Sequence, residues 1–154
     1  MTNISSLLDS LKKGKYIVAT AESCTGGLIA AAFTDFTGSS AVFERGFVTY
    51  SNESKIELLG VSAKTIESHG AVSEETCREM LLGAIANSNA NIAIATTGIA
   101  GPDGGSESKP VGLVYIGILQ YPNIRIVKYH FSGSRKQIRA ETVEKALELL
   151  NKFI

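Results

Sequence analysis

Four segments of this chain carry residue types at spacings that could do chemistry. The first, Ala21-Glu-Ser-Cys-Thr-Gly-Gly27, follows an apolar run and brings two candidate nucleophiles, Ser23 and Cys24, to a turn before a helical pattern. In an open α/β sheet, ligands collect at the C-terminal ends of strands. A helix start there offers unpaired N–H groups to an anion or a developing oxyanion. Gly26 and Gly27 would let a ligand approach that backbone. The plainer reading is a helix cap with a buried cysteine. The segment is not a G-x-S-x-G elbow, a Walker A loop or a G-x-G-x-x-G fingerprint.

The second segment is Tyr50-Ser-Asn-Glu-Ser-Lys55. On a helix starting here, Lys55 shares a face with Leu58 and Leu59, so its amine is a candidate for partial desolvation. Burial lowers a lysine's pKa, and a lysine that is neutral near pH 7 can take a proton from a serine hydroxyl. The bland alternative lays the lysine stem on the leucines and its charge in water. Two S-x-x-K matches, Ser10 to Lys13 and Ser106 to Lys109, show how little that spacing alone signifies.

The third segment, Thr97-Gly-Ile-Ala-Gly-Pro-Asp-Gly-Gly105, follows a buried strand directly. Its glycines can take positive φ and present several N–H groups to a ligand, or it is simply a flexible surface loop. The fourth is Phe131-Ser-Gly-Ser-Arg-Lys-Gln-Ile-Arg139, where Ser134 and Gln137 have capping-box spacing. Arg135 and Lys136 fall in the first turn, where the helix dipole disfavours cations, and Arg135 and Arg139 are a like-charged i, i+4 pair. A bound phosphate would relieve both penalties; a mildly unfavourable solvated surface is the alternative.

The elements that must position these segments alternate. Helical spacing of Ile4, Leu7, Leu8 and Leu11 predicts a helix ending at Lys12-Lys13, with Gly14 beyond its end. A buried strand is expected over 16–20, then a helix through 28–33 capped by Thr25, and a strand over 41–50 interrupted at Gly46 by a bulge or a close backbone approach. Three short helices follow, capped by Ser51 or Asn52, by Ser62 and by Ser73. Strands over 91–97, 111–119 and 124–131 and a helix from about 135 to 152 complete the series. The pattern predicts an α/β fold, three-layer α/β/α, whose adjacent strand pair at 111–131 makes the β-sheet mixed.

Composition narrows the classes. The 154 residues, 44% of them hydrophobic, contain no run near the ~18 apolar residues a membrane span needs, and one domain over 1–154 is expected. Lys plus Arg equal Asp plus Glu at 15 each, which offers no polyanion-binding surface, so nucleic acid is not expected as a partner. Two histidines far apart, and two cysteines that form no C-x-x-C pair, argue against a zinc site. The opening residues have neither a basic start nor an apolar secretion segment, so a cytoplasmic location is expected.

Together these segments resemble the CinA C-terminal domain family, in particular its stand-alone nicotinamide-nucleotide amidases. The matching stretches are Ala-Glu-Ser-Cys-Thr-Gly-Gly at 21–27, Phe-Glu-Arg-Gly-Phe-Val-Thr-Tyr-Ser-Asn-Glu at 43–53 with Lys55, and His-Gly-Ala-Val-Ser at 69–73. Further matches are Thr-Gly-Ile-Ala-Gly-Pro-Asp-Gly-Gly at 97–105, Lys-Pro-Val-Gly at 109–112 and Phe-Ser-Gly-x-Arg at 131–135. The resemblance implies a homodimer that hydrolyses the carboxamide of nicotinamide mononucleotide to nicotinic acid mononucleotide and ammonia, with no metal and no cofactor. It implies Ser23 as nucleophile, Lys55 as its base and Tyr50 as a group that orients or relays the proton. Thr97 would contact the reacting amide or the lysine, and Arg135 would hold part of the nucleotide. Thr25, Gly26, Gly27 and Gly98 would contribute to substrate and oxyanion binding. Longer members carry an additional N-terminal domain, and no activity of that domain is expected here. The competing readings are a non-catalytic nucleotide-binding or regulatory module, and a thiol enzyme using Cys24.

Overall fold

In the computed structural model, which describes residues 1–154, five strands form one sheet in the order β2-β1-β3-β4-β5. In chain order the elements are α1 (Ile4–Lys13), β1 (Val18–Glu22), α2 (Leu28–Thr34), β2 (Phe43–Val48), α3 (Asn52–Leu59), α4 (Ala63–His69), α5 (Glu74–Ala86), β3 (Ile92–Gly98), β4 (Leu113–Gln120), β5 (Asn123–His130) and α6 (Arg135–Phe153). β1 pairs in parallel with β2 and β3, whereas β3, β4 and β5 pair antiparallel. The mixed three-layer α/β/α arrangement matches the expectation.

Burial explains the layering. Every residue of β1 and all but the last of β3 are buried, as the unbroken apolar runs require of strands covered on both faces. One core lies under α1, α2 and α6 and includes Leu7, Ile29, Phe33, Ile138 and Leu147. The other, built from Leu59, Cys77, Met80, Leu81 and Ala84, lies under α3 and α5. β5, at an edge, alternates between partly buried and exposed positions. No helix is long and apolar enough to cross a membrane.

Because the chain leaves β1 for β2 on one side and returns past it to β3 on the other, the C-terminal ends of β1 and β3 flank a topological switch point. Such a point leaves a crevice outside the strand ends, where the connecting loops diverge.

Several local expectations change. Gly14 follows the end of α1 as expected, but at φ −79, and the next residue, Lys15, adopts φ +56. The irregularity in β2 lies between the pairs Val18–Phe43 and Ala19–Arg45, so Glu44 is the bulged residue and not Gly46. Of the two readings at Gly46 the close approach holds: a Cβ there would stand 2.8 Å from the Thr20 hydroxyl. Ser62 starts α4 without a side-chain cap, whereas Ser51, Ser73 and Ser134 accept N–H bonds at their helix starts.

Gly83 sets how closely α5 approaches the end of α3, because a methyl there would overlap the Leu59 carbonyl group. Intrinsic helix propensity favours Ala over Gly by about 1 kcal/mol, but overlap with a backbone group has no rotamer to relieve it. Gly83→Ala is therefore expected to lower stability by about 1–3 kcal/mol, seen as a lower urea midpoint at unchanged slope. An unchanged or raised midpoint would show that α3 can shift freely.

Candidate active site

β1 ends at Glu22, and the next residue, Ser23, begins the turn into α2. Glu22 is fully buried, and its carboxylate accepts the N–H groups of Ile29 at 2.8 Å and Ala30 at 3.0 Å. Its charge thus occupies the positive end of α2, satisfying donors the helix cannot satisfy itself. Gly26 at φ +59 and Gly27 at φ +98 make the turn that permits this. Ser23 is held at both backbone ends: its N–H donates to the Thr96 carbonyl at 3.0 Å, and its carbonyl accepts from Gly26 N–H at 3.1 Å.

Lys55 enters from the opposite side. Ser51 caps α3, accepting the Ser54 N–H at 3.0 Å, and this starts the helix at the phase that turns Lys55 inward. Leu59, one turn on, is buried with it, while Leu58 is 49% exposed, so only one of the two expected leucine neighbours shares its face. Lys55 is 1% exposed, and its Nζ donates to Ser23 Oγ at 2.9 Å, to the Thr49 carbonyl at 2.8 Å and to the Tyr50 carbonyl at 3.3 Å. None of the ion pairs in the fold involves it. Desolvation without a compensating carboxylate lowers its pKa from the ordinary 10.5. In its neutral form a lysine amine has two N–H donors, enough for the two carbonyls, and one lone pair, which the Ser23 hydroxyl can then meet as donor.

The pair sits in a cleft of about 240 Å³ at the switch point. Thr97 and Gly98, at the end of β3, form one wall, and the Thr97 hydroxyl donates to the Ala71 carbonyl at 2.7 Å, tying in the turn before α5. Arg135, from the start of α6, forms another: its Nη1 donates to the Gly101 carbonyl and its Nη2 to the Tyr50 phenol oxygen, each at 2.8 Å. Lys55 and Arg135 are the basic side chains lining the cleft, and no carboxylate lines it. No group of three or more His, Cys, Asp or Glu side chains converges anywhere in the fold as metal ligands would.

The sequence pattern of the CinA C-terminal domain matches residues 2–154. The chain belongs to the CinA C-terminal domain family. It is 50% identical, over 94% of its own length and 90% of the other, to a protein of Enterobacter agglomerans named nicotinamide-nucleotide amidohydrolase PncC. It is 53% identical to the CinA-like protein of Endomicrobium trichonymphae, matching 92% of this chain but 33% of that longer one. The chain accordingly spans about a third of the length of several curated relatives it matches. Among solved structures, a competence-damaged protein (CinA) superfamily protein from Escherichia coli superposes with a TM-score of 0.95 at 34% identity, over 98% of this chain and 88% of that one.

Within this CinA-type fold, Ser23, Lys55, Tyr50, Thr97, Gly98 and Arg135 all face one cleft. Thr25, Gly26 and Gly27 lie outside its wall. Thr25 is fully buried and shares a 2.8 Å hydrogen bond with the Thr96 hydroxyl; the N-cap of α2 is Gly27, not Thr25. Glu22 already holds two of the N–H groups at that helix start, so the expected anion seat there is filled from within. The Tyr50 phenol meets Arg135, while it is the Tyr50 carbonyl that meets Lys55.

Glu22 escaped the sequence reading, although a carboxylate just before a helix with no acid in its first turn was a usable signal, and Arg139 was noted only as the like-charged partner of Arg135, not as a donor to the turn. Ala71 contributes a carbonyl, which no side-chain pattern reveals. Cys24 is 5% exposed and burial pushes its thiol up to about 12, while burial also raises Cys77. Neither thiol is expected to react with a disulfide reagent at pH 8 in the native protein, and both should react once it is denatured. A fast stoichiometric reaction of Cys24 in the native state would restore it as a nucleophile.

Proposed function

We propose that this protein hydrolyses the carboxamide of nicotinamide mononucleotide to nicotinic acid mononucleotide and ammonia, with Ser23 as nucleophile and Lys55 as its base. The observation that carries the reading is the 2.9 Å bond between Lys55 Nζ and Ser23 Oγ in a buried setting that lowers the lysine's pKa. The relative from Enterobacter agglomerans, matched over nearly its whole length, supports the substrate. A cleft lined by Arg135 and by no carboxylate supports an anionic ligand, and Arg135 keeps three of its five N–H donors for a phosphate after its two bonds within the protein.

The chemistry follows from the pairing. Ser23 Oγ attacks the amide carbon while neutral Lys55 takes its proton. The tetrahedral intermediate collapses, the C–N bond breaks, and the lysine ammonium returns that proton to the departing nitrogen as ammonia leaves. Water then attacks the acyl-serine, Lys55 takes the water's proton, and the Ser23 oxygen receives it as the acid product departs. Backbone N–H groups answer the oxyanion. On the turn, those of Ser23, Gly26, Leu28, Ile29 and Ala30 already have partners, and Thr25 and Gly27 lie outside the cleft wall, which leaves the N–H of Cys24. The family resemblance further implies a homodimer of one amidase domain per chain acting in the cytoplasm.

The direct test is ammonia release from nicotinamide mononucleotide without added metal, with Ser23→Ala and Cys24→Ala alongside. Wild-type turnover is expected, with a loss of about 10³-fold or more in Ser23→Ala and a loss within about tenfold in Cys24→Ala. Activity retained in Ser23→Ala and lost in Cys24→Ala would transfer the role to the thiol. Folded wild type that binds the nucleotide without turnover would make the protein a binding module.

A further inference from the structure

Arg139 lies one turn beyond Arg135 on α6 and lines no part of the cleft. Its Nε donates to the Cys24 carbonyl at 3.0 Å and its Nη2 to the Thr25 carbonyl at 3.2 Å. Those carbonyls belong to the two residues that directly follow Ser23. The only charged side chain that hydrogen-bonds the turn's backbone from outside the 22–30 segment is therefore the one that grasps it where the nucleophile's orientation is decided.

The like-charged pair at the start of α6 has a physical explanation in these contacts. Two cations near a helix N-terminus are unfavourable unless acceptors meet them. Arg135 finds them in the loop after β3 and at Tyr50, and Arg139 finds them in the turn after β1. One helix end thereby fixes two separate walls of the same site.

We propose that Arg139 is a positioning residue for the amidase reaction, holding the peptide planes after Ser23 so that the hydroxyl and the neighbouring N–H groups keep a reactive arrangement. A peptide unit is planar and trans, so its C=O and N–H point in opposite directions. Fixing the Cys24 carbonyl fixes the Thr25 N–H, and fixing the Thr25 carbonyl fixes the Gly26 N–H, which closes the turn onto the Ser23 carbonyl. Gly26 at φ +59 is part of the device, because a Cβ there would stand 3.3 Å from Arg139 Nη2. The guanidinium suits two carbonyls at once, which a lysine ammonium on its flexible stem cannot reproduce in the same plane. Arg139 acts through this backbone and not on the substrate.

The inference rests on the amidase reading, and its test separates the two. Arg139→Met and Arg139→Lys are compared with wild type in steady-state amide hydrolysis of nicotinamide mononucleotide. Substrate-independent labelling of Ser23 by a sulfonyl fluoride, followed by intact mass, runs in parallel, with thermal unfolding to confirm folding. Arg139→Met is expected to lose about 100-fold in kcat with KM within about threefold, and to slow labelling by a similar factor. Arg139→Lys should recover part of both, through one of the two bonds. A folded Arg139→Met with kcat and labelling rate within about threefold of wild type would overturn the proposal, as would a rise confined to KM. Wild type that labels but does not turn over, with labelling slowed in Arg139→Met, would retain the positioning role and reject the amidase. Wild type that neither labels nor turns over has no nucleophile to position, and both proposals fall.

Discussion

The burial of one lysine amine against one serine hydroxyl is the constraint on which the rest of this molecule depends. A primary amine that loses nearly all contact with water must be hydrogen-bonded by the protein, and here two backbone carbonyls and Ser23 supply what it needs. Supplying carbonyls and a hydroxyl, with no carboxylate, makes the difference. A buried carboxylate partner would have held the ammonium charged, whereas neutral acceptors leave desolvation to dominate and lower the pKa. The same burial has the opposite effect on the neighbouring thiol, whose charged form is the anion. One environment thus shifts both groups toward their neutral forms, which is the form the proposed base needs and the form in which a thiol is a poor nucleophile.

That arrangement explains otherwise odd features of the fold. α3 must end close to α5 to bring Lys55 inward, and Gly83 permits it. The turn carrying Ser23 must be rigid although it contains two consecutive glycines. Its rigidity comes from outside the glycines: Glu22 on the first N–H groups of α2, Thr96 on the Ser23 N–H, and Arg139 on the carbonyls of Cys24 and Thr25. The glycines supply the positive φ angles, and charged hydrogen bonds hold them there.

Much of this was legible in the sequence because its carriers were periodicity and end signals. The α/β alternation, the mixed sheet, the capping box at Ser134 and Gln137 and the order of the helices all follow from local pattern, and the structure agrees. The errors have a common cause. Thr25 has the chemistry of an N-cap, but tertiary contact engages its hydroxyl with Thr96 and gives the helix start to Glu22. Leu58 and Leu59 are equivalent in spacing from Lys55, and only the direction of α5 decides which one is buried. The Arg135 and Arg139 pair was visible as an electrostatic oddity, yet the acceptors that satisfy it lie more than thirty residues away in sequence, and apart from the Tyr50 phenol they are backbone carbonyls with no residue signature.

The most direct test of the central claim is the ionisation of Lys55 itself, followed by NMR of its side-chain nitrogen or ε-carbon and assigned by comparison with Lys55→Met. The expected result is titration below 10.5, with the neutral amine gaining population as pH rises and the base form therefore available on the alkaline side of that midpoint. Titration at or above the ordinary lysine value would mean that Lys55 stays an ammonium throughout, as a hydrogen-bond donor to Ser23 and not its base.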